Sequence, residues 1–502
     1  MKKALYIIIF LMLSSQMGAQ QYFKNRYDYN SEIETLGNIL VTDSGYFVVP
    51  TYLNQSFGVH AIIPAFIDLQ GNISWLNEIS NDTIDFTVGN VIPLNNYFYS
   101  VGSKSYSNGD RDMYLFKYNS NFDTIWTKIY GNDSIRESGV RIEMNSDSSF
   151  AIMCQEYNIT NNVSSGDFAL YNIDTSGNLI WKKREVLSSN EGPFDLEILK
   201  DSTYLLTGYS YSFGFGLQSY LMRMDSAGNK IWQNAYGTNI TFGDCPAYAA
   251  ATSDGGFIAC GCLAKVDGIG LNPRRMYIRK YSANNVLEWD KEYGNSSELS
   301  MLMTIKELPD GQGYIAGGNH IDTLLNNIGV VESTLGLLKI DLNGDSIWMR
   351  TYRVFEAING ENYLEEVELT PDGGFVMCGY TSPPNFPDTG TQDIWVIKVD
   401  SMGCEQWGCH IIDGVSETIY PKQNIQVYPN PTKDILHVDF TAVLNEDADA
   451  HLFNILGKKV LSVTFSFSNN TMNLESLPIG SYFLKVQLAS GLQLVEKIVV
   501  EK

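Results

Sequence analysis

Five histidines are spread through 502 residues: His60, His320, His410, His437 and His451. No two stand at metal-ligand spacing and no H-E-x-x-H is present, so nothing here reads as a zinc site. Seven cysteines are the next candidates for chemistry. Cys404 and Cys409, in Gly403-Cys-Glu-Gln-Trp-Gly-Cys409, read as a disulfide closing a repeat region. Cys245 and Cys262 flank a predicted hairpin that turns near Ser253–Gly255, which sets them almost opposite each other as a second disulfide. Cys154, Cys260 and Cys378 occupy similar points on predicted strands and read as small buried residues. Aspartates in Asp-x-x-Gly turns supply hard oxygen atoms, and calcium is the metal they could serve. No D-x-[DN]-x-[DN]-G loop exists, however, and each turn aspartate reads as an acceptor for its own backbone. Gly255-Gly256 and Gly373-Gly374 are turn glycines with no phosphate-cradling helix behind them. No cofactor and no catalytic set is expected. What remains is a candidate ligand face of Tyr106, Tyr211, Phe213, Phe215, His320 and Phe386, in loops where a ring could stack on a sugar.

The elements that position these residues follow from a period. Trp75, Trp126, Trp181, Trp232, Trp289, Trp348 and Trp407 recur at gaps of 51, 55, 51, 57, 59 and 59 residues. An aromatic after a polar turn precedes each tryptophan by 28 to 34 residues, as in Asp254-Gly-Gly-Phe257 and Asp372-Gly-Gly-Phe375. A second turn comes just before it, as in Asp174-Thr-Ser-Gly177-Asn178 and Asp341-Leu-Asn-Gly344-Asp345. Apolar runs and alternating stretches between turns read as strands, four to a repeat. In the fifth repeat they are roughly Ala247–Thr252, Phe257–Gly261, Met276–Tyr281 and Val286–Tyr293. Small antiparallel sheets at this period make a β-propeller, here of seven blades, with the tryptophans packed between blades. The first-to-second and third-to-fourth turns are short. The second-to-third connections are long and dissimilar, Gly318–Leu335 with His320 among them, and binding usually resides on such loops. Tyr22–Tyr27 resembles Trp126–Tyr130 and is expected to supply, or lie beside, the outer strand of the last repeat, which removes a free edge.

Net charge is −23 and the pI is near 4.6. That repels nucleic acid and anionic membranes, so both are set aside as partners. Residues 1–19 read as a secretory signal: Lys2 and Lys3, the apolar stretch Ala4–Leu13, and Ala19 before the cut. No later run is long enough to span a bilayer as a helix. The cysteines suit the oxidising compartment this implies.

The repeat stops after Cys409, residues 410–423 read as a linker, and short strands between Gly, Pro and Asn turns then argue a small Ig-like β-sandwich. Tyr428-Pro429-Asn430-Pro431-Thr432, the Gly457 turn, Gly480-Ser-Tyr482-Phe-Leu-Lys-Val486 and Lys497 fall there in order. Residues 424–502 so resemble the type A C-terminal sorting domain of proteins exported by the type IX secretion system of Bacteroidetes. The resemblance implies Sec export to the periplasm, outer-membrane passage on the type IX machinery, then release or attachment at the cell surface. The hairpin Tyr114–Trp126 is also similar to the Trp-bearing repeats of quinoprotein-type propellers. The Asp-x-x-Gly turns are not sialidase Asp boxes: glycine comes three residues after Asp and Trp four after Gly, where the box needs two and three. Asp123-Thr-Ile125 and Asp133-Ser-Ile135 resemble Bacteroidetes O-glycosylation sites.

The expected protein is all-β: signal peptide 1–19, seven-bladed propeller 20–409, linker 410–423 and sorting domain 424–502. Its expected role is a non-enzymatic extracellular module for a glycan or protein ligand. The alternatives are a propeller enzyme, either a quinoprotein-like oxidoreductase or a polysaccharide hydrolase or lyase, and a structural surface component. Acids or histidines converging at the axial channel would favour the enzyme.

Overall fold

The computed structural model describes residues 22–501 except 55–58, 81–84, 133, 159–165, 215, 239–243, 265–273, 295–297, 323–332, 356–359, 384–390, 407–424, 441–447, 455–457, 466–469 and 489–492. The signal segment 1–19, Trp407, Cys409, the linker 410–423, Phe215, Phe386 and Gly457 therefore lie outside the described residues. Among the described residues every regular element is a strand. The chain divides into two compact units, Met1–Ile411 and Ile412–Lys502.

In the first unit each repeat folds as an antiparallel four-stranded sheet. Repeat three is typical, with Ile135–Met144, Phe150–Asn158, Gly166–Ile173 and Leu179–Glu185 in that order. Repeats five and six share one eight-stranded sheet, because a single parallel pair, Arg274 with Leu299, bridges them. The first strands of successive repeats pack against one another, and that of the last repeat, Glu361–Leu369, packs against that of the first, Ile39–Thr42. The sheets so form a closed, propeller-like ring. Phe23–Tyr27 closes it from the N-terminus, pairing antiparallel with Ile394–Lys398 as the fourth strand of the last repeat. Both edges of that seam become paired strands.

A recurring wedge joins neighbouring sheets. The hairpin before each tryptophan turns on a residue with positive φ, such as Gly177 (+77°), Gly228 (+77°) or Gly344 (+79°). Trp126 lies against Gly177 of the next repeat, Trp181 against Gly228, Trp289 against Gly344 and Trp348 against Gly403. Two residues past three of these indoles a long cation reaches the same hairpin: Lys128 to Asn178 at 3.4 Å, Lys183 to Asn229 at 3.2 Å and Lys291 to Asp345 at 2.9 Å. Four residues past the indole a tyrosine hydroxyl donates to the glycine carbonyl, Tyr130 to Gly177 at 2.7 Å and Tyr293 to Gly344 at 2.6 Å. Half-burying an indole is worth about 2–3 kcal/mol. A hydroxyl–carbonyl bond adds about 1 kcal/mol. Packing therefore dominates, and the hydrogen bond fixes the register. At the seam Phe23 meets Gly71 (φ +83°) and the Tyr27 hydroxyl donates to the Gly71 carbonyl at 2.8 Å. Phenylalanine there takes the place that tryptophan holds elsewhere.

Repeat one departs from the expected pattern twice. Pro50 and Pro64 interrupt its second and third strands, because neither can donate to a ladder. The repeat splits into a four-stranded sheet, Ile39–Thr42 to Ile73–Trp75, and a three-stranded one of Ile33–Thr35, Thr51–Asn54 and Val59–Ile62. Trp75 is also not a wedge like the others. In repeats two to six the third-to-fourth pairing carries a bulge, so that Asn172 faces Trp181 while Ile173 faces Leu179. Repeat one has none, and Ala65 faces Trp75. A one-residue slip sends a side chain to the opposite face. Trp75 accordingly packs with Tyr29 at 5.1 Å, and Phe47, Phe98 and Phe122 stack at the boundary with repeat two.

The second unit is a two-sheet sandwich. Ile425–Tyr428, Ile435–Phe440 and Thr471–Asn473 form one sheet. Lys459–Phe465, Ala448–Asn454, Gly480–Leu488 and Gln493–Val500 form the other. Leu436, Val438, Leu452, Leu484 and Ile498 are buried between them.

Two alanine substitutions separate the wedge from backbone strain. Both Gly373 (φ +80°) and Gly228 (φ +77°) penalise a side chain, but an added Cβ meets nothing within 4 Å at Gly373 and Trp181 at 2.7 Å at Gly228. Gly373→Ala should cost about 1 kcal/mol. Gly228→Ala should cost at least about 1 kcal/mol more, read as a lower thermal midpoint.

Candidate functional site

Three first strands carry charged–apolar–charged triplets, Arg141-Ile142-Glu143, Asp195-Leu196-Glu197 and Glu366-Val367-Glu368, and a fourth carries Thr304-Ile305-Lys306. Alternation turns the apolar member into the sheet packing and the flanking pair toward the ring axis. Ile142, Leu196, Ile305 and Val367 are buried accordingly. The flanking side chains line an axial cavity of about 250 Å³, shared with Asn38 and Asn90.

Five carboxylates and two cations meet in that cavity. Arg141 bridges repeats three, four and seven, 3.3 Å from Asp195 and 3.2 Å from Glu366. Lys306 stands 2.8 Å from Glu368 and 3.7 Å from Glu366. Thr304 Oγ1 donates to Glu366 at 2.8 Å, and the Ala251 amide to Glu197 at 3.2 Å. Against the cost of burial, Lys306 and Arg141 hold the Glu366 carboxyl below the usual range. Among the described residues, Glu197 and Glu143 have no such cation in contact. Burial, then Asp195 and Glu143, push Glu197 up to about 8. Burial, then Asp195, push Glu143 up to about 7. The axis thus holds a cation-paired group of lowered proton affinity beside carboxyls of raised proton affinity.

The opposite ends of the first and second strands, toward the long connections, carry buried polar pairs. Glu137 faces Glu156, Glu191 faces Ser210, Ser300 faces His320 and Asn362 faces Thr381. They anchor loops. Glu191 accepts from Ser210 at 2.9 Å and from Ser212, while Asn362 accepts from the amides of Val354 and Phe355 at 3.1 and 2.9 Å. Charge pairing compensates part of the burial elsewhere, with Lys182 at 2.6 Å from Glu156 and Arg184 at 2.6 Å from Asp167.

The candidate ligand face is not gathered into one place. Tyr106 lines an open concavity of about 540 Å³ with Asn108, Asp110, Asp112 and Asn132, and its hydroxyl donates to Asp112 at 2.8 Å. Among the described residues, none of the other candidates lines it. Tyr211 and Phe213 are exposed on repeat four, Tyr211 edge-on to Tyr209 and Phe213 stacked on Tyr220 at 5.5 Å. His320 is not in a loop: the second strand of repeat six runs on to Asp322, and the ring's Nδ1 lies 2.7 Å from Ser300 Oγ. The turn aspartates spend their oxygens on backbone amides, Asp174 on Ser176 and Asn178 at 2.9 and 2.8 Å. Cys245 and Cys262 are joined in a disulfide, and Cys404 is disulfide-bonded too. Cys154, Cys260 and Cys378 are buried free thiols.

In the second unit the Asn430 side chain grips the last strand, donating to the Lys497 carbonyl at 2.7 Å and accepting from the Val499 amide at 2.8 Å. Tyr428 stacks on His437 at 5.3 Å and its hydroxyl reaches Asp439 at 2.9 Å. Pro429 and Pro431 follow cis peptide bonds. Gly480 faces Val500, the Tyr482 hydroxyl donates to the Pro478 carbonyl at 2.8 Å, and Lys497 is exposed. Residues 426–501 match the family model described as a secretion system C-terminal sorting domain. The second unit is a type IX sorting domain. The sorting domain marks the chain for export to the cell surface or extracellular space and implies engagement of the type IX machinery.

No curated protein sequence matches the chain. Among solved structures, the β-propeller domain of the Trilobed protease from Pyrococcus furiosus is similar at 8% identity and a TM-score of 0.38, covering 74% of this chain and 96% of that one. Drosophila Semaphorin 2a is similar at 10% identity and a TM-score of 0.48, covering 96% and 99%. A GH43_1 enzyme from Xanthomonas citri complexed with xylotriose is similar at 9% identity and a TM-score of 0.33, covering 55% and 95%.

The axial carboxyls set a pH dependence. Glu143 and Glu197 hold their protons more tightly folded than unfolded, so the folded state binds more protons between pH 4.5 and about 8. Stability must fall as pH rises through that window. The thermal midpoint of the wild type should drop from pH 5 to pH 8, and Glu197→Gln should flatten the slope.

Proposed function

We propose that the chain is a non-enzymatic extracellular binding protein. It is built as a seven-bladed propeller whose long-loop side takes a glycan or protein ligand, and the sorting domain delivers it. The observation that carries this reading is the concavity at Tyr106. It is open and polar, and it holds one aromatic ring already fixed by its hydroxyl bond to Asp112. A ring held in place loses little entropy when a sugar stacks on it. Carboxylates and amides at the rim suit sugar hydroxyls. A net charge of −23 favours a neutral glycan over an anionic one.

A second reading, a polysaccharide-active enzyme, has its own support in the axis. Glu197 is pushed up to about 8 while Glu366 is held below the usual carboxylate range. Paired carboxyls with opposed proton affinities are what acid–base cleavage of a glycoside uses.

Glycan arrays and calorimetry with the exported chain discriminate. Binding of a neutral oligosaccharide should weaken about tenfold or more in Tyr106→Ala, a loss of about 1.4 kcal/mol. Tyr106→Phe, which keeps the stacking ring but loses the bond that fixes it, should fall between the wild type and Tyr106→Ala. Polysaccharide turnover that vanishes in Glu197→Gln would replace the binding reading with the enzymatic one.

A further inference from the structure

We propose that Asp28, Glu34 and Asp393 form a binding site for a divalent cation, calcium by preference, at the seam where the ring closes. The three residues come from separate parts of the chain. Asp28 ends the N-terminal closing strand, Glu34 lies on the first strand of the small sheet, and Asp393 opens the third strand of the last repeat. One carboxylate oxygen from each lies within 4.8 Å of the others. That spread suits a common cation with oxygen ligands at about 2.3–2.6 Å.

The second observation is Glu34 itself. Its side chain is wholly buried, and among the described residues Oε2 has no hydrogen-bond partner. Oε1 accepts from the Tyr29 amide at 3.0 Å. A buried carboxylate oxygen without a donor is costly, and a cation removes that cost. Backbone bonds leave the glutamate no retreat: its amide donates to the Gln392 carbonyl at 2.9 Å, and Gln392 Nε2 donates to its carbonyl at 2.8 Å.

Arg26 binds Asp393 Oδ2 at 3.0 Å and offsets its charge. The remaining bonds, Ser31 amide to Asp28 at 2.8 Å and Thr391 Oγ1 to Asp393 at 2.9 Å, orient the carboxylates without filling them. An all-oxygen donor set excludes preference for zinc or copper. The irregular chain after Asp28 favours calcium, which tolerates variable geometry, over octahedral magnesium.

Calcium bound here ties the closing strand to the last repeat, so the ring gains stability wherever calcium is plentiful. The full exported chain, stripped with EDTA, is titrated with calcium chloride at pH 7.5. A rise in thermal midpoint of about 3 °C by 10 mM is expected, with little effect of magnesium. Terbium bound at the site should luminesce by transfer from Tyr29. Glu34→Gln and the exposed Asp28→Asn should each fold and lose both signals. A midpoint and terbium signal indifferent to the metal in the wild type would overturn the proposal. So would responses that survive in both variants, which would place the cation elsewhere.

Discussion

The ring rests on one contact made many times: an aromatic ring laid on a hairpin glycine of the neighbouring sheet. The glycine must have positive φ and must lack a Cβ, since an added carbon at Gly177 would come within 3.2 Å of the Trp126 ring. Conformation and close approach thus select the same residue for two reasons. The tyrosine bond to the glycine carbonyl adds direction to a contact that is otherwise only apolar. Most sheets offer a hairpin to one neighbour and an aromatic to the other, so the contact propagates around the ring, except between repeats one and two, where Phe47, Phe98 and Phe122 stack instead. Phe23 and Tyr27 complete it from the far end of the chain.

A closed ring brings the first strands of the repeats to a common axis, and that has an electrostatic consequence. Charges that would be harmless on an open sheet converge in a cavity of about 250 Å³. Arg141 and Lys306 neutralise the Glu366 region, while burial raises the proton affinity of Glu143 and Glu197. At the other end of the strands, buried glutamates are spent on anchoring loops. The seam carries both themes, since Glu34 is buried like the loop anchors and crowded by acids like the axis.

Much of this was legible in the residues. The tryptophan period, the Asp-x-x-Gly turns and the resemblance of Tyr22–Tyr27 to Trp126–Tyr130 point to repeated sheets and a closing strand. The Tyr428–Pro431 motif with Gly480 and Tyr482 points to the sorting domain. The axial acids stand in the sequence as charged residues two apart around one apolar residue, yet alternation alone does not say that three such triplets and Thr304-Ile305-Lys306 meet. Trp75 shows the limit more sharply. Its spacing from Gly71 equals that of Trp181 from Gly177, but the missing bulge turns it to the other face.

Local chemistry in the sequence determined the strands, the turns, the repeat and the export signal at the C-terminus, because each depends on neighbours along the chain. Tertiary structure alone decided which charges share the axis, where Trp75 points, that His320 lies within a strand, and that Asp28, Glu34 and Asp393 crowd one spot. These depend on register and closure, where a shift of one residue or the pairing of chain ends hundreds of residues apart changes every partner.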